Sequence, residues 1–347
     1  MPDEPRSRIA DQIDLAAKVA ALRRPETYPD RPARVETIET HRSWIFLTDR
    51  LAYKLKKPLR YNAVDVRSLA ARRAHCEEEV RLNRRLAGAV YRGVVALTAE
   101  PDGRLVIGGR GEPVEWLVAM QRLPADRMLD VMLRHGTADD AAVRRAAAVL
   151  ARFYRDSPPV LHDPVAYRAW FAAEIRINHA TLTPAELGLP AELLRKLRDA
   201  QLALLQREPD LFDRRVLAGR IVEGHGDLRP QHICLLEPPV IFDCLEFDRR
   251  LRIVDPVDEL GFLGMECERI GAPWVGPVVL ATYAALTGDR PPARLVAFYQ
   301  SFRATLWARL AMWRTAELDR SAWGPWLDRA RGYLLLAQRH SERLRSR

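Results

Sequence analysis

Glu223-Gly-His-Gly-Asp-Leu-Arg-Pro-Gln-His-Ile-Cys-Leu235 is the stretch on which the reading of this chain turns. His225 stands two residues before Asp227, Leu228 follows it, and His232 comes after three more residues. Ile233–Leu236 then reads as a short apolar strand, Glu237-Pro-Pro as a turn, and Val240-Ile-Phe as a second strand ending on Asp243. Two acids set around a strand–turn–strand are a far more specific signal than either acid alone. A carboxylate at Asp227 can accept or orient the proton of a hydroxyl, and one at Asp243 can hold a metal on phosphates. Phosphoryl transfer asks for that pair.

The spacing from His225 to position 232 is that of the kinase catalytic loop, H-R-D-L-x-x-x-N, and Asp243 stands where kinases place a Mg²⁺ carboxylate. One position departs: His232 occupies the place of the asparagine. An imidazole can ligate a divalent metal, but Mg²⁺ prefers oxygen. Three outcomes follow: His232 binds metal poorly, Mn²⁺ or water fills in, or the second metal site is lost. Arg229 lies just after the leucine of the loop, where protein kinases often carry a lysine. It is a candidate to neutralise charge on the transferring phosphoryl group, with a packing arginine as the alternative. His225 reads as structural, because nothing supplies the third member of a zinc site or triad.

Upstream, Ile9–Arg24 has apolar residues at helical spacing and ends before the Pro-rich PETYPDRPA. Val35–Thr40, Trp44–Thr48 and Leu51–Lys57 read as an antiparallel meander, followed by a long helix over Ser68–Leu86. Val94–Ala99 and Leu105–Gly108, joined by PDGR, and then Glu115–Met120 read as further strands. Gly108-Gly-Arg-Gly111 lacks the spacing of a phosphate loop and reads as a hairpin loop. From about Asp126 the chain reads as amphipathic helices (Asp139–Arg155, Ala166–Asn178, Ala191–Arg207 and several after Pro256), interrupted by a β-rich Val222–Phe247. The pattern predicts an α+β fold.

Glu223–Leu228, Phe242-Asp-Cys-Leu-Glu-Phe247 and Asp255-Pro-Val-Asp258-Glu259-Leu260 resemble the signature of aminoglycoside phosphotransferase family enzymes. So do Glu36-Thr-Ile-Glu-Thr-His-Arg-Ser-Trp-Ile-Phe-Leu47, Ala52-Tyr-Lys-Leu-Lys-Lys-Pro58 and Glu77-Glu-Glu-Val-Arg-Leu-Asn-Arg-Arg-Leu86. The resemblance covers about residues 20–270 and points to the bacterial branch often fused to a P-loop nucleotide kinase. No GxxxxGK[ST] occurs, so that second kinase is expected to be absent.

The resemblance implies a protein-kinase-like, two-lobed fold, with a β-rich N-terminal lobe, a mostly helical C-terminal lobe and ATP between them. The expected division is 1–30 as leading helix and linker, 31–122 as nucleotide-binding lobe, and 123–347 as the helical lobe with catalytic loop and substrate site. Leu51–Lys54 matches the V-A-I-K pattern, making Lys54 the candidate phosphate lysine, with Lys56 on the same strand face as the alternative. Three of the five lysines lie between 54 and 57; a solvated strand end is the bland alternative. Glu79 is the expected ion-pair partner, with Glu77 and Glu78 as rivals. The His41-Arg42-Ser43 turn would lie over the phosphates with Ser43 as donor, unless it is an ordinary hairpin turn. Met120–Leu123 would form the hinge, so that Met120 and Gln121 present backbone groups to adenine.

Composition narrows the alternatives. The net charge of +9 is spread over separate arginine-rich segments with acids between them, and no basic stripe interleaved with aromatics appears, so no nucleic-acid partner is expected. No apolar run approaches the roughly 18–20 residues of a membrane span. The start of the chain lacks a signal profile, and Cys76, Cys234, Cys244 and Cys267 form no CxxC pair. A cytoplasmic protein is expected. The expected activity is an ATP- and Mg²⁺-dependent phosphotransferase (Mn²⁺ as the alternative metal) acting on a hydroxyl of a small molecule. The alternative is a pseudokinase-like nucleotide-binding module without turnover. The acceptor's identity is not encoded in any motif. An acidic Asp255–Glu268 would suit a cationic acceptor or, alternatively, cap helices and pair with arginines such as Arg249 and Arg250.

Overall fold

The computed structural model describes residues 13–61 and 64–344, in two compact units. The first runs to Ala125 and takes in Ile241–Arg249; the second holds Asp126–Val240 and Arg250 onward.

In the first unit, Leu15–Leu22 forms α1, capped by Asp14, whose side chain accepts from the Ala17 N–H. The expected start of this helix at Ile9 lies outside the described residues. Strands β1 (Glu36–Glu39), β2 (Ser43–Leu47) and β3 (Leu51–Lys56) form the meander, and two-residue strands β4 (Arg60–Tyr61) and β5 (Val64–Asp65) pair with each other. Helix α2 (Leu69–Ala87) starts at the Ser68 cap and carries Arg84 and Arg85 in its last turn, as the helix dipole favours. Strands β6 (Tyr91–Ala99), β7 (Leu105–Ile107) and β8 (Glu112–Gln121) complete a six-stranded antiparallel sheet of order β1-β2-β3-β8-β6-β7.

Strand alternation decides which side chains reach the core. Tyr53 and Leu55 of β3 join Leu22, Tyr28, Phe46, Leu97 and Leu117 in one buried cluster, while Lys54 and Lys56 face the other way. Each fully buried Leu or Phe contributes roughly 1.5–3 kcal/mol. The Gly108–Gly111 segment is not a hairpin loop. β7 pairs with β6 and β6 with β8, so these residues carry the chain past β6. The packing is close: a Cβ on Gly111 would lie 2.0 Å from the Ala99 carbonyl oxygen.

The second unit is built of helices α3 (Leu129–Arg134), α4 (Asp140–Asp156), α5 (Pro164–Leu182), α6 (Ala191–Arg207) and α7 (Asp210–Leu217), followed by α8 (Pro256–Arg269), α9 (Val275–Thr287), α10 (Ala293–Trp313) and α11 (Gly324–Glu342). Between α7 and α8 the β content is smaller than its β-branched residues suggested. Strands β9 (Val222–Glu223), β10 (Ile233–Cys234), β11 (Val240–Ile241) and β12 (Ile253–Val254) have two residues each, and Pro230–His232 is a 3₁₀ turn. β9 pairs with β12. α8 and α9 approach until a Cβ on Gly264 would sit 2.8 Å from the Gly276 Cα. Among the described residues no helix is long and apolar enough to cross a membrane.

The acids around α8 are committed inside this unit. Asp255 caps α8 through the Val257 N–H and binds Arg215 in bidentate fashion, with both bonds at 2.7 Å. Asp258 pairs with Arg303 at 2.6 and 2.8 Å. Glu266 pairs with Arg269, and Glu268 with Arg339 and His340. The capping and pairing alternative describes them, but the partners of Asp255 and Asp258 are Arg215 and Arg303 rather than Arg249 and Arg250.

Candidate active site

The first unit brings five charged side chains together. On β3, Lys54 Nζ lies 2.9 Å from Glu79 Oε1 and 2.8 Å from Asp243 Oδ1. Lys56 Nζ, two residues on and so on the same face, lies 2.5 Å from Glu79 Oε2 and 2.5 Å from Glu246 Oε1. Glu79 thus takes one lysine on each oxygen, and the two candidate lysines share one partner. Glu77 and Glu78 point elsewhere, to Arg73 and Arg81 respectively. Glu79 is fully buried, whereas the Asp243 side chain is 40% exposed.

Burial works against the charge of Lys54, but the Asp243 and Glu79 carboxylates outweigh it and hold the ammonium well above the usual lysine range. Lys56 is likewise raised, burial opposing and Glu246 and Glu79 prevailing. Burial pushes Glu246 up, yet the lysines bring it below the usual glutamate range. Both lysines are therefore charged at neutral pH.

Two residues of the first unit fix the segment around Asp243. Asn83 lies one turn beyond Glu79 on α2. Its amide donates to the Glu79 carbonyl at 2.9 Å and accepts from the Cys244 N–H at 2.9 Å. The Tyr91 hydroxyl accepts from the Asp243 N–H at 3.3 Å. Asp243 itself has φ 63°, a left-handed conformation that costs a non-glycine residue about 1–3 kcal/mol. Such strain persists where surrounding contacts over-determine the backbone, and the Asn83 and Tyr91 bonds do so here.

Ser43 begins β2 and is buried, paired in register with Lys56. Its N–H donates to Thr40 Oγ1 at 3.0 Å, which closes the β1–β2 turn. Arg42 at the tip lies over the Phe247 ring at 3.9 Å. Met120 and Gln121 end β8, opposite Ala52 and Leu51 of β3.

In the second unit the loop holding Asp227 is fastened from beneath. Glu259, buried on α8, accepts from the His225 N–H at 2.8 Å and from the Gly226 N–H, and the Tyr154 hydroxyl donates to it at 2.7 Å. A Cβ at position 224 would lie 2.3 Å from Glu259 Oε2 and 2.7 Å from Val254 Cγ2, so a larger residue there would displace the side chain that holds the loop. His225 is fully buried, and its Nδ1 accepts from the Asp227 N–H at 3.3 Å. This is the bracing role expected of it. His232 Nδ1 donates to the Asp227 carbonyl at 2.8 Å, because a carbonyl can only accept. That bond leaves the ring lone pair on Nε2 when the imidazole is neutral. Arg229 Nε lies 3.2 Å from Asp227 Oδ1.

Glu246, Asn83, Tyr91, Glu259 and Tyr154 were not singled out from sequence. Three signals were available: Glu79 and Asn83 are one helical turn apart on one face, Glu246 follows Asp243 in the Phe242–Phe247 motif, and Glu259 lies in the Asp255–Leu260 motif. Tyr91 and Tyr154 had none.

The donor chemistry can be tested against a divalent ion. The half-exposed Asp243 carboxylate is the hard oxygen ligand that Mg²⁺ favours, whereas the His232 imidazole is not. Among the described residues no group of three or more His, Cys, Asp and Glu side chains is placed to hold a metal unaided. An ion whose remaining ligands are phosphate and water oxygens needs no such group.

No protein-family model matches the chain. Uncharacterized proteins of Mycobacterium tuberculosis and Mycobacterium bovis are 31% identical over 288 residues, which is 82% of this chain and 56% of theirs. The chain thus spans about half the length of the curated relatives it matches. Among solved structures, it is similar to a choline/ethanolamine kinase family protein from Mesorhizobium loti (TM-score 0.53, 14% identity, 94% of this chain and 99% of that one). The GDP complex of aminoglycoside 2'-phosphotransferase-IIIa gives a TM-score of 0.52 at 15% identity, covering 89% and 93%. The AMP-bound complex of a spectinomycin phosphotransferase gives 0.50 at 11%, covering 88% and 93%. At such identities the likeness shows the fold, and that fold is kinase-like: a β-rich first lobe and a mostly helical second.

Proposed function

We propose that this chain is an ATP-dependent phosphotransferase acting on a hydroxyl of a small molecule. The observation that carries the reading is the charged Lys54 on Glu79, with Asp243 on the same ammonium. A buried glutamate that fixes a lysine beside a partly exposed aspartate is the arrangement kinases use to place a triphosphate. Lys54 contacts the phosphates, and Lys56 holds Glu79 and Glu246 in place. The Ser43 turn covers the phosphates, and the Met120–Gln121 backbone meets the base. Asp243 would hold Mg²⁺ or Mn²⁺, with His232 as a weaker nitrogen donor. The ion supplies charge neutralisation on the phosphates when bound.

In the reaction, the acceptor oxygen bonds to the γ-phosphorus as the bond to the β–γ bridging oxygen breaks. ADP leaves with that electron pair, and the hydroxyl proton passes to Asp227. Glu259 and Tyr154 hold the loop that presents Asp227, so the work of this chain is largely positioning. Arg229 sets a positive charge beside the reacting hydroxyl. His232 in the asparagine place favours the second reading, a nucleotide-binding module without turnover.

Lys54→Met separates the two lysines. Calorimetric titration with ATP should show at least about tenfold weaker binding in Lys54→Met, the loss of a charge-assisted contact to phosphate. Wild-type affinity in that variant would contradict the assignment.

A further inference from the structure

We propose that the acceptor carries a negative charge and that Arg229 grips it, with Trp307 holding the guanidinium in place. This rests on the phosphotransferase reading and adds to it the chemical class of the substrate.

Among the described residues of the second unit, Arg229 sets its guanidinium beside the Asp227 carboxylate. Arg229 is partly buried, its Nε 3.2 Å from Asp227 Oδ1, and its guanidinium carbon lies 4.7 Å from the centroid of the Trp307 ring. Trp307 is itself held: it stacks on Phe262 at 5.6 Å and 13°, and its ring centroid is 6.1 Å from that of Tyr333. The Gln231 amide, with its oxygen turned inward, lies 3.0–3.1 Å from the guanidinium nitrogens. A guanidinium fixed on an aromatic face is a pre-organised fork for a carboxylate or phosphate. Among the described residues of this unit its one ionic partner, Asp227, engages Nε, and Gln231 is a neutral partner that an anion can displace.

A cationic acceptor needs the reverse: an uncommitted carboxylate or an open aromatic face. The acids that flank or touch the loop offer neither. Glu223 pairs with Arg252 at 2.8 Å, Asp255 with Arg215, and Asp258 with Arg303, while Glu259 holds the loop backbone. The Trp307 face that would attract an ammonium already carries a guanidinium. Placing a second cation there would add like-charge repulsion beside Arg229.

The test is calorimetric titration of the full chain, without nucleotide, with malate and with choline, two small hydroxyl compounds of opposite charge. Malate should bind, choline should give no heat, and Arg229→Gln should weaken malate binding by about tenfold or more, with Arg229→Lys retaining part of it. Lys54→Met, which removes the other anion-binding candidate, should leave malate binding unchanged. The proposal is overturned if choline binds, if millimolar malate gives no heat, or if malate binding is lost in Lys54→Met and kept in Arg229→Gln. Neither ATP nor turnover enters this readout. A protein that binds malate through Arg229 yet transfers no phosphate would sink the kinase reading alone, and one that phosphorylates choline would sink this inference alone.

Discussion

Asp227→Asn should reduce phosphoryl transfer to any accepted hydroxyl by about a thousandfold while leaving ATP affinity unchanged. The substitution keeps the shape of the side chain and removes the charge that receives the proton; general-base assistance is typically worth 10²–10⁴-fold. The backbone at 225–227 is held by Glu259, His225 and His232 rather than by the Asp227 carboxylate, so the loop should keep its place. The Arg229 contact weakens but retains an oxygen acceptor. Transfer and ATP binding are measured on the same preparation, by radiolabelled phosphate and by calorimetry. Turnover within a few-fold of wild type would remove Asp227 from the chemistry. An inactive wild type that still binds ATP would favour the non-catalytic module.

The largest effect on stability should come from Arg215→Met. This buried guanidinium binds Asp255 through two nitrogens and Asp289 at 2.6 and 2.7 Å. Tyr299 and Tyr283 also donate to those carboxylates. Removing the cation strands two buried acids, and breaking one buried pair already costs about 3–5 kcal/mol. Denaturant unfolding should show a loss of that size. Arg214→Met, on the exposed neighbour whose pairing with Asp210 is 3.4 Å long, should change stability by less than about 1 kcal/mol. The same cluster sets an acid dependence. Burial pushes the Asp289 carboxyl up, but its bonds with Arg215 dominate and hold it below the ordinary 3.8. Its folded pKa is depressed, so its stabilisation is present above 3.8 and disappears as pH falls through the lower folded value. Arg215→Met should flatten that part of the stability–pH curve.

What the sequence disclosed follows from range. Asp227, Asp243, Lys54 and Glu79 sit in local patterns whose spacing has a chemical reason, and α2 and α6 have periodicities long enough to place them within a residue or two. Partners far apart in the chain were not readable. Glu259 supports His225 across 34 residues and Asn83 bonds Cys244 across 161, and no local spacing encodes either. The same limit applied to the α8 acids. Arg249 and Arg250 are adjacent in sequence, yet the folded chain brings Arg215 and Arg303 to Asp255 and Asp258. The β-branched residues of 222–247 suggested longer strands. They form two-residue pieces because the backbone there is held by side chains and turns rather than by extended ladders.

Thermal unfolding of the full chain with ATP tests whether Lys54, Glu79 and Asp243 hold a metal–nucleotide. The scan is run with and without Mg²⁺ or Mn²⁺, beside Asp243→Asn. A ligand that binds only the native state stabilises it by about 2.7 kcal/mol at a hundredfold excess over Kd. A concentration-dependent rise in Tm that requires the divalent ion and is lost in Asp243→Asn is the expected result. An equal rise in that variant, or no rise with any nucleotide and metal, would contradict the assignment.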